Sequence, residues 1–152
     1  MRIKVTLSKD RRNLGTLKLF DIANVLLSCP CYSKADSIEA AKAGNPTRDP
    51  TRRNGDTPTG KHRGTVEARA MEPEKSYGKW PPIRMHGVSG DALTAANNKR
   101  RGLLIHGGWL DKAGKLRATN GCLRIEDKFL NVILGRLRAA SLLEIEIEIE
   151  EI

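Results

Sequence analysis

The sequence predicts a single mainly β domain of the α+β class over residues 1–152, with one late helix followed by a last strand. Short segments in which apolar and polar residues alternate recur along the chain, which is the pattern of half-buried strands. One segment, residues 128–140, instead repeats its apolar residues with the period of a helix. A chain of this length suits one domain, and no internal repeat divides it.

The first part of the chain has the pattern of three strands and a short helix. Residues 2–8 and 16–20 alternate on either side of a charged turn, which favours a hairpin, and residues 24–32 form the third predicted strand. Residues 37–43 are rich in alanine and are followed by a glycine, as expected of a short helix and its stop.

The middle of the chain is predicted to be rich in loops. Residues 45–56 are polar and have no apolar anchor, so we expect a flexible solvated loop. Residues 57–60, Thr-Pro-Thr-Gly, predict a tight turn, because proline restricts one backbone dihedral and glycine frees another. A strand over 64–70 is expected next, then a surface segment over 72–82 and a short strand over 83–87.

The last part contains the clearest patterns. One or two helical turns over 92–100 precede a strand over 103–105. Asp127 is expected to cap the helix over 128–140, whose apolar positions share one face: Phe129, Val132, Ile133 and Leu137. Residues 142–150 are predicted to be a strand, in which glutamate and isoleucine alternate after two leucines, and the glutamates either face a basic neighbouring strand or protect a sheet edge.

The charge of the chain predicts attraction to polyanions without choosing among them. The formal net charge is +9, and nucleic acid, anionic membranes and acidic wall polymers all fit that sign. The basic residues are scattered along the sequence and no RNA-binding, zinc-finger or helix-turn-helix signature is present, so no specific nucleic-acid partner is expected. No run of about 18 apolar residues occurs, so no transmembrane segment is expected either.

Three cysteines give no disulfide framework, because an odd number leaves at least one thiol free. Cys29 and Cys31 are too close in sequence for an ordinary bridge, and no second cysteine or histidine pair completes a zinc site. We therefore predict that both are strand residues, one of them buried, and that the protein needs neither a metal nor a cofactor.

The segment from Leu104 to Glu126 holds the residues with chemical potential. His106 follows an apolar run and precedes two glycines, and Cys122 lies sixteen positions later, directly after Gly121. A thiol needs a base to become a nucleophile, and His106 is a candidate for that base. The alternative is a buried core cysteine and a surface histidine without a shared function.

The residues around this pair resemble a known signature. Ile105-His106-Gly107, then Leu116-Arg117-Ala118-Thr119-Asn120-Gly121-Cys122-Leu123-Arg124-Ile125, is similar to the active-site pattern of the L,D-transpeptidase (YkuD-type) catalytic domain. Thr57-Pro58-Thr59-Gly60 matches an upstream landmark of the same family, and the resemblance covers roughly residues 20 to 126. Asn120 departs from the pattern, because many relatives have a second histidine there.

The resemblance implies a fold and a reaction. The fold would be an L,D-transpeptidase-like β-sandwich or curled sheet with the site at its rim. Cys122 would attack an amide of a peptidoglycan stem tetrapeptide and form a thioester, while His106, oriented by the carbonyl of Gly107, moves the proton. The consecutive backbone amides around Asn120 and Gly121 are the expected oxyanion donors.

Two further residues of the signature have alternative roles. Arg124 lies two positions from the nucleophile on the same face of the expected strand, so we predict that it holds a substrate carboxylate. A surface ion pair with Glu126 or Asp127 is the alternative for this side chain. Thr119 either contacts substrate or orients the turn.

Two residues outside the signature are candidates for the substrate groove. Trp109 either forms one of its walls or belongs to the core. His86, in a second His-Gly pair, either lines the cleft of His106 or makes a structural hydrogen bond.

An amine acceptor would make the protein an L,D-transpeptidase, and water would make it an L,D-carboxypeptidase. Either would act in the periplasm or cell wall, yet the amino terminus lacks the apolar core of a signal peptide, so we expect a trimmed chain or another export route. An antibacterial effector with an immunity or delivery protein is one alternative. A basic, non-catalytic domain that binds wall polymer or nucleic acid is another.

Overall fold

The computed structural model describes residues 1–152 as eight strands and four helices. The strands are β1 (Arg2–Leu7), β2 (Gly15–Asp21), β3 (Asn24–Cys31), β4 (Gly60–Val66), β5 (Ile83–Gly87), β6 (Leu104–His106), β7 (Leu123–Arg124) and β8 (Glu144–Glu151). The helices are α1 (Ser37–Lys42), α2 (Glu74–Tyr77), α3 (Gly90–Asn97) and α4 (Asp127–Ala139). None of the helices has the length and apolarity that a membrane span requires.

All eight strands belong to one sheet in the order β3-β2-β1-β8-β4-β5-β6-β7. Two isolated bridges, Tyr32 to Arg124 and Ala35 to Thr119, join the chain after β3 to β7 and its approach, so the sheet curls into a nearly closed barrel. This architecture confirms the predicted mainly β, α+β class. The prediction of a helix after the motif and a strand after that helix is also confirmed.

Strand β8 lies in the middle of the sheet, parallel to β1 and antiparallel to β4. Its isoleucines at 145, 147 and 149 are buried. Its glutamates face the other way, and Glu150 forms an ion pair with Lys4 of β1 at 3.2 Å. The edge-protection alternative for these glutamates is therefore wrong, because β8 has a partner strand on each side.

The core fills the inside of the curled sheet and is closed by α4. The buried residues of α4 are Leu130, Ile133, Leu134 and Leu137, which have the spacing of one helical face. Val132 is 42% exposed, so the buried face of the helix is rotated from the predicted one and includes Leu134 instead of Val132. Phe129 packs only partly against the core, under the Lys128 ammonium. Two of the four predicted positions are thus fully buried.

Asp127 does not cap α4 as predicted. It is the first helical residue, and the N-cap is Glu126, whose side chain makes no capping bond. The Asp127 carboxylate instead accepts a hydrogen bond from the backbone N–H of Gly108 at 3.2 Å. The acidic side chain therefore joins the start of α4 to the loop that follows His106.

Residues 45–56 form an ordered segment, so the prediction of a flexible solvated loop is wrong. Asn45 is 1% exposed, and its side chain donates to the carbonyls of Asp49 and Arg53 at 3.0 and 3.1 Å. Asp56 accepts from the Arg48 guanidinium at 3.1 Å. Polar side chains thus hold this segment where apolar ones are absent.

Two smaller predictions also change. Strand β4 runs from Gly60 to Val66 because its first residues pair with β8, so the predicted strand over 64–70 began and ended too late. Cys29 and Cys31 are strand residues as predicted, but both are buried, since both point from β3 into the core.

Candidate active site

A locked turn presents Cys122 just before β7. The Thr119 hydroxyl accepts a hydrogen bond from the backbone N–H of Gly121 at 3.0 Å and donates one to the carbonyl of Cys122 at 2.9 Å. Gly121 has a φ of 109°, and a Cβ there would overlap the Arg100 guanidinium and the Gly55 carbonyl. Both hydrogen bonds of Thr119 stay within the turn, which is the second of its two predicted roles.

The Thr-Pro-Thr-Gly segment contacts this turn directly, although 64 residues separate the two in sequence. Thr57 is fully buried, and its hydroxyl donates to the carbonyl of Gly121 at 2.7 Å. The Thr57 carbonyl in turn accepts from the buried guanidinium of Arg11 at 2.9 Å. The two sequence motifs therefore form one hydrogen-bonded unit beneath the thiol.

His106 is 2% exposed at the end of β6 and is held on two sides. Its Nδ1 lies 2.5 Å from the carbonyl oxygen of Gly107, which is the predicted contact. This contact makes Nδ1 the protonated nitrogen, so Nε2 keeps its lone pair. The ring of Tyr77 packs against the imidazole with centroids 5.2 Å apart and a tilt of 56°.

Burial lowers the pKa of His106 to about 4, against the opposing effect of the Gly107 carbonyl and with a further decrease from the nearby Arg124 charge. Burial also raises the pKa of the Cys122 thiol, although the backbone N–H of Leu104 and the Arg100 charge act in the opposite direction. At neutral pH the resting site therefore holds a neutral thiol and a neutral imidazole.

The Cys122 thiol donates to the carbonyl of Gly102 at 3.3 Å, and no hydrogen bond joins it to His106. Both side chains line one cavity of about 720 Å³. The thiol must therefore turn from Gly102 towards the imidazole before His106 can take its proton.

The backbone amides of the turn differ in availability. The Gly121 N–H is occupied by the Thr119 hydroxyl, so the prediction that it is an oxyanion donor is wrong. The N–H groups of Asn120 and Cys122 have no protein acceptor. These two amides remain available to an oxyanion formed at the thiol.

Arg124 is 4% exposed and only partly satisfied. One of its nitrogens, Nη2, donates to the carbonyl of Ser76 at 2.7 Å, while Nε and Nη1 are buried without a partner. The predicted alternative of an ion pair with Glu126 or Asp127 is wrong, because Arg124 forms no ion pair. Burial, followed by repulsion from Arg117, lowers the pKa of this guanidinium to about 10.

The fold gathers cations that are scattered in the sequence. Two acidic residues line the Cys122 cavity, Asp36 and Glu39, against seven cationic ones. The seven are Arg53, Arg84, Lys99, Arg100, Arg101, Arg117 and Arg124. The cavity therefore favours an anionic ligand.

Two predicted groove residues lie elsewhere. Trp109 is 54% exposed, so it is not a core residue, and its side chain is outside the cavity wall. Its backbone carbonyl instead accepts a hydrogen bond at 2.9 Å from the guanidinium of Arg117, which lines the cavity. His86 is exposed and lines an adjoining cavity of about 290 Å³ beside α3, which shares Arg100 and Arg101 with the Cys122 cavity. The His86 side chain thus does not line the cavity that contains His106 and Cys122.

Tyr77 and Arg100 are site residues that the sequence analysis missed. Tyr77 lay in a segment predicted only as surface. Arg100 donates to the carbonyls of Gly55 and Asp56 at 2.6 and 2.9 Å and reaches that of Asn120 at 3.4 Å. Such contacts join segments 20 to 45 residues apart, so no local sequence pattern marks them.

No group of three or more histidine, cysteine, aspartate or glutamate side chains is arranged to hold a metal ion. All three cysteines are free thiols.

No protein-family model matches the chain, and no curated protein matches it. Among solved structures, the chain is similar to the structure of Bd1075 from Bdellovibrio bacteriovorus, with a TM-score of 0.54 and 14% sequence identity. The similarity covers 99% of this chain and 48% of that one, so the chain spans about half the length of its structural neighbour. At this identity the likeness concerns the fold alone.

Proposed function

We propose that the protein has an L,D-transpeptidase-like fold and acts on peptidoglycan stem tetrapeptides through a Cys122 thioester. One observation carries the proposal: a thiol, an imidazole with a defined tautomer and a buried guanidinium with two unpartnered nitrogens converge on one cationic cavity. A buried, unpaired cation is unfavourable for folding alone, so a ligand that completes its hydrogen bonds is its natural explanation.

The first half of the proposed reaction forms the thioester. The Cys122 sulfur attacks the carbonyl carbon of the scissile amide as its proton passes to Nε2 of His106. The oxyanion accepts hydrogen bonds from the free amides of Asn120 and Cys122. The C–N bond then breaks, and His106 returns the proton to the departing amine of the terminal residue.

The second half releases the acyl group. His106 takes a proton from an acceptor amine or from water as that nucleophile attacks the thioester carbonyl. The C–S bond breaks and the proton returns to sulfur, which restores the neutral thiol. An amine acceptor gives a cross-link and water gives a shortened stem peptide, so transpeptidase and carboxypeptidase activity share this site.

Arg124 is the proposed receptor for the carboxylate of the leaving terminal residue. The guanidinium lines the cavity with incomplete hydrogen bonding, so a carboxylate there would complete it, and the low exposure of the guanidinium strengthens such an ion pair. This contact would place the scissile amide next to the thiol, because Arg124 and Cys122 line the same cavity.

Mass spectrometry of muropeptides tests the reaction. Wild-type protein incubated with tetrapeptide-containing muropeptides should give either cross-linked dimers or tripeptides with loss of one alanine. Cys122→Ala should give neither while remaining folded by circular dichroism, because the substitution removes the nucleophile and little volume. Turnover by Cys122→Ala would show that another residue is the nucleophile. Muropeptides that remain unchanged with folded wild-type protein would refute the proposal.

A non-catalytic domain that binds acidic wall polymer is the second candidate. The cationic cavity and the absence of a thiol–imidazole hydrogen bond favour it. Such a domain would bind muropeptides with equal affinity before and after Cys122→Ala, and its thiol would react with iodoacetamide no faster than free cysteine.

We further propose that the site of action is the periplasm or cell wall, where the substrate occurs. A housekeeping enzyme and an antibacterial effector differ in the consequence of delivery. Expression directed to the periplasm should lyse cells only for an effector, whereas cytoplasmic expression of either should be harmless.

A further inference from the structure

The Cys122 cavity has a second cationic wall that the proposed reaction does not use. Arg53, Lys99 and Arg101 line this cavity, are exposed, and have neither an ion-pair partner nor a side-chain hydrogen bond. We call these three residues the rim cluster. Arg124 lies on a different wall, where it contacts Ser76 of α2.

The rim cluster belongs to backbone segments that are hydrogen bonded to one another. Arg53 belongs to the ordered 45–56 segment and Lys99 to the segment after α3. The Asn98 side chain donates to the carbonyl of Thr51 at 3.0 Å, and Arg100 binds carbonyls of both the 45–56 segment and the Cys122 turn. The three cations are therefore carried by one hydrogen-bonded unit that includes the nucleophile's turn.

No protein acid neutralises the rim cluster. The two carboxylates in the cavity wall have other partners: Asp36 caps α1 by accepting from the backbone N–H groups of Ile38 and Glu39, and Glu39 pairs with Lys42 at 3.4 Å. Three uncompensated cations at the mouth of one cavity attract an anion.

We infer that the rim cluster is a second carboxylate subsite, specific for an acidic group of the donor peptide on the acyl side of the scissile amide. The inference rests on the proposed function, in which Arg124 takes the terminal carboxylate on the leaving side. A donor with a free carboxylate before the diamino acid would then bind at both walls. The same donor with that carboxylate converted to a primary amide would lose one of its two charged contacts.

Two synthetic tetrapeptides test this specificity, one with the upstream carboxylate free and one with it as the amide. Wild-type kcat/KM should be about tenfold higher for the free carboxylate, mainly through KM, because a contact remote from the reacting atoms binds ground and transition states alike. The combined variant Arg53→Gln, Lys99→Gln and Arg101→Gln should reduce this preference to about one.

A second triple variant is the matched control. Lys18→Gln, Arg69→Gln and Arg138→Gln remove the same total charge from exposed residues outside the Cys122 cavity, so the tenfold preference should persist. Raising the salt concentration should weaken the preference in the wild type and in the control variant. Equal kcat/KM for the two peptides in the wild type, or a preference that survives in the rim variant, would overturn the subsite.

Failure of the proposed reaction gives a different result. A wild-type protein that converts neither peptide refutes the acyl transfer, and calorimetry on Cys122→Ala then decides the subsite by itself. About tenfold tighter binding of the free carboxylate, lost in the rim variant made in the same background, supports the rim cluster. Equal affinities, or no binding of either peptide, would refute it.

Discussion

Arg124→Lys separates carboxylate recognition from simple charge attraction. The wild-type guanidinium offers two unpartnered nitrogens, Nε and Nη1, while its third nitrogen remains bound to the Ser76 carbonyl. Lysine keeps the positive charge but concentrates its donors on one nitrogen, so it loses the planar guanidinium whose separate nitrogens can contact the Ser76 carbonyl and a ligand. The contact between the guanidinium and a carboxylate should therefore weaken although the net charge is unchanged.

The burial of Arg124 sets the expected magnitude. An exposed ion pair is worth about 0–1 kcal/mol, whereas truncation of one side of a buried charged pair costs about 2–5 kcal/mol. With the side chain 4% exposed, the second range applies. We expect Arg124→Lys to lower kcat/KM at least about tenfold, or roughly 1.4 kcal/mol, and Arg124→Met to lower it roughly 30-fold to several thousand-fold.

Steady-state kinetics on a stem tetrapeptide measures this change, and the rate of Cys122 alkylation is its control. Alkylation should stay at the wild-type rate in both variants, because otherwise the substitution has distorted the turn. Arg124→Met should also leave the melting temperature unchanged or raised, since it removes a buried cation that lacks full pairing. A fall in kcat/KM of less than twofold for Arg124→Lys would refute the assignment.

Three further predictions follow from the geometry of the protein and a fourth from the sequence resemblance. Because burial lowers the pKa of His106 to about 4, kcat/KM should fall on the acid side only near pH 4. The imidazole of the unfolded chain is protonated at a higher pH than that of the folded chain, so the free energy of unfolding should fall as pH drops from about 6.5 to about 4. His106→Gln should flatten this slope. Tyr77→Ala should lower kcat/KM about twofold to tenfold and raise the pH of the acid limb, because it exposes the imidazole, whereas Tyr77→Phe should match the wild type in both measurements. Cys29→Ser and Cys31→Ser should keep full turnover but lose about 1–3 kcal/mol in chemical denaturation, since each places a hydroxyl in the core; loss of turnover in a folded variant would contradict this. The resemblance to the L,D-transpeptidase signature, not the geometry, implies that a carbapenem should add one inhibitor mass to the wild type in intact-mass spectra and none to Cys122→Ala; folded wild type without an adduct would argue for an occluded thiol.

Strand assignment from the sequence succeeded where the alternation was strong. The strands around Ile3 and Ile147 were predicted because buried and exposed residues alternate there with period two. Their neighbours in the sheet could not be predicted, because β1 pairs in parallel with a strand more than 140 residues later. Local patterns carry no information on such a pairing. The rotation of the α4 face has a similar cause, since packing against the sheet decided between Val132 and Leu134.

In the candidate site too, the sequence predicted the contacts between near neighbours and missed those between distant residues. The motif located Cys122 and His106, and the contact of the imidazole with Gly107 is local in sequence. The bond from Thr119 to Gly121 is local as well, but a hydroxyl can either contact a substrate or close its own turn, and only the folded geometry distinguishes the two. The environment of Arg124 depends on Ser76, 48 residues earlier, so its burial had no sequence signal.

The position of β8 has a consequence for how the protein is made. Residues 144–151 are synthesised after every other strand, yet they lie between β1 and β4 and hydrogen bond to both. Until β8 is inserted, β1 and β4 each have an unpaired edge, and only the two isolated bridges after β3 join the β1–β3 part of the sheet to the part that contains Cys122 and His106. Closure of the sheet should therefore be a late, slow step dominated by contacts between distant residues, during which a chaperone would have exposed edges to protect.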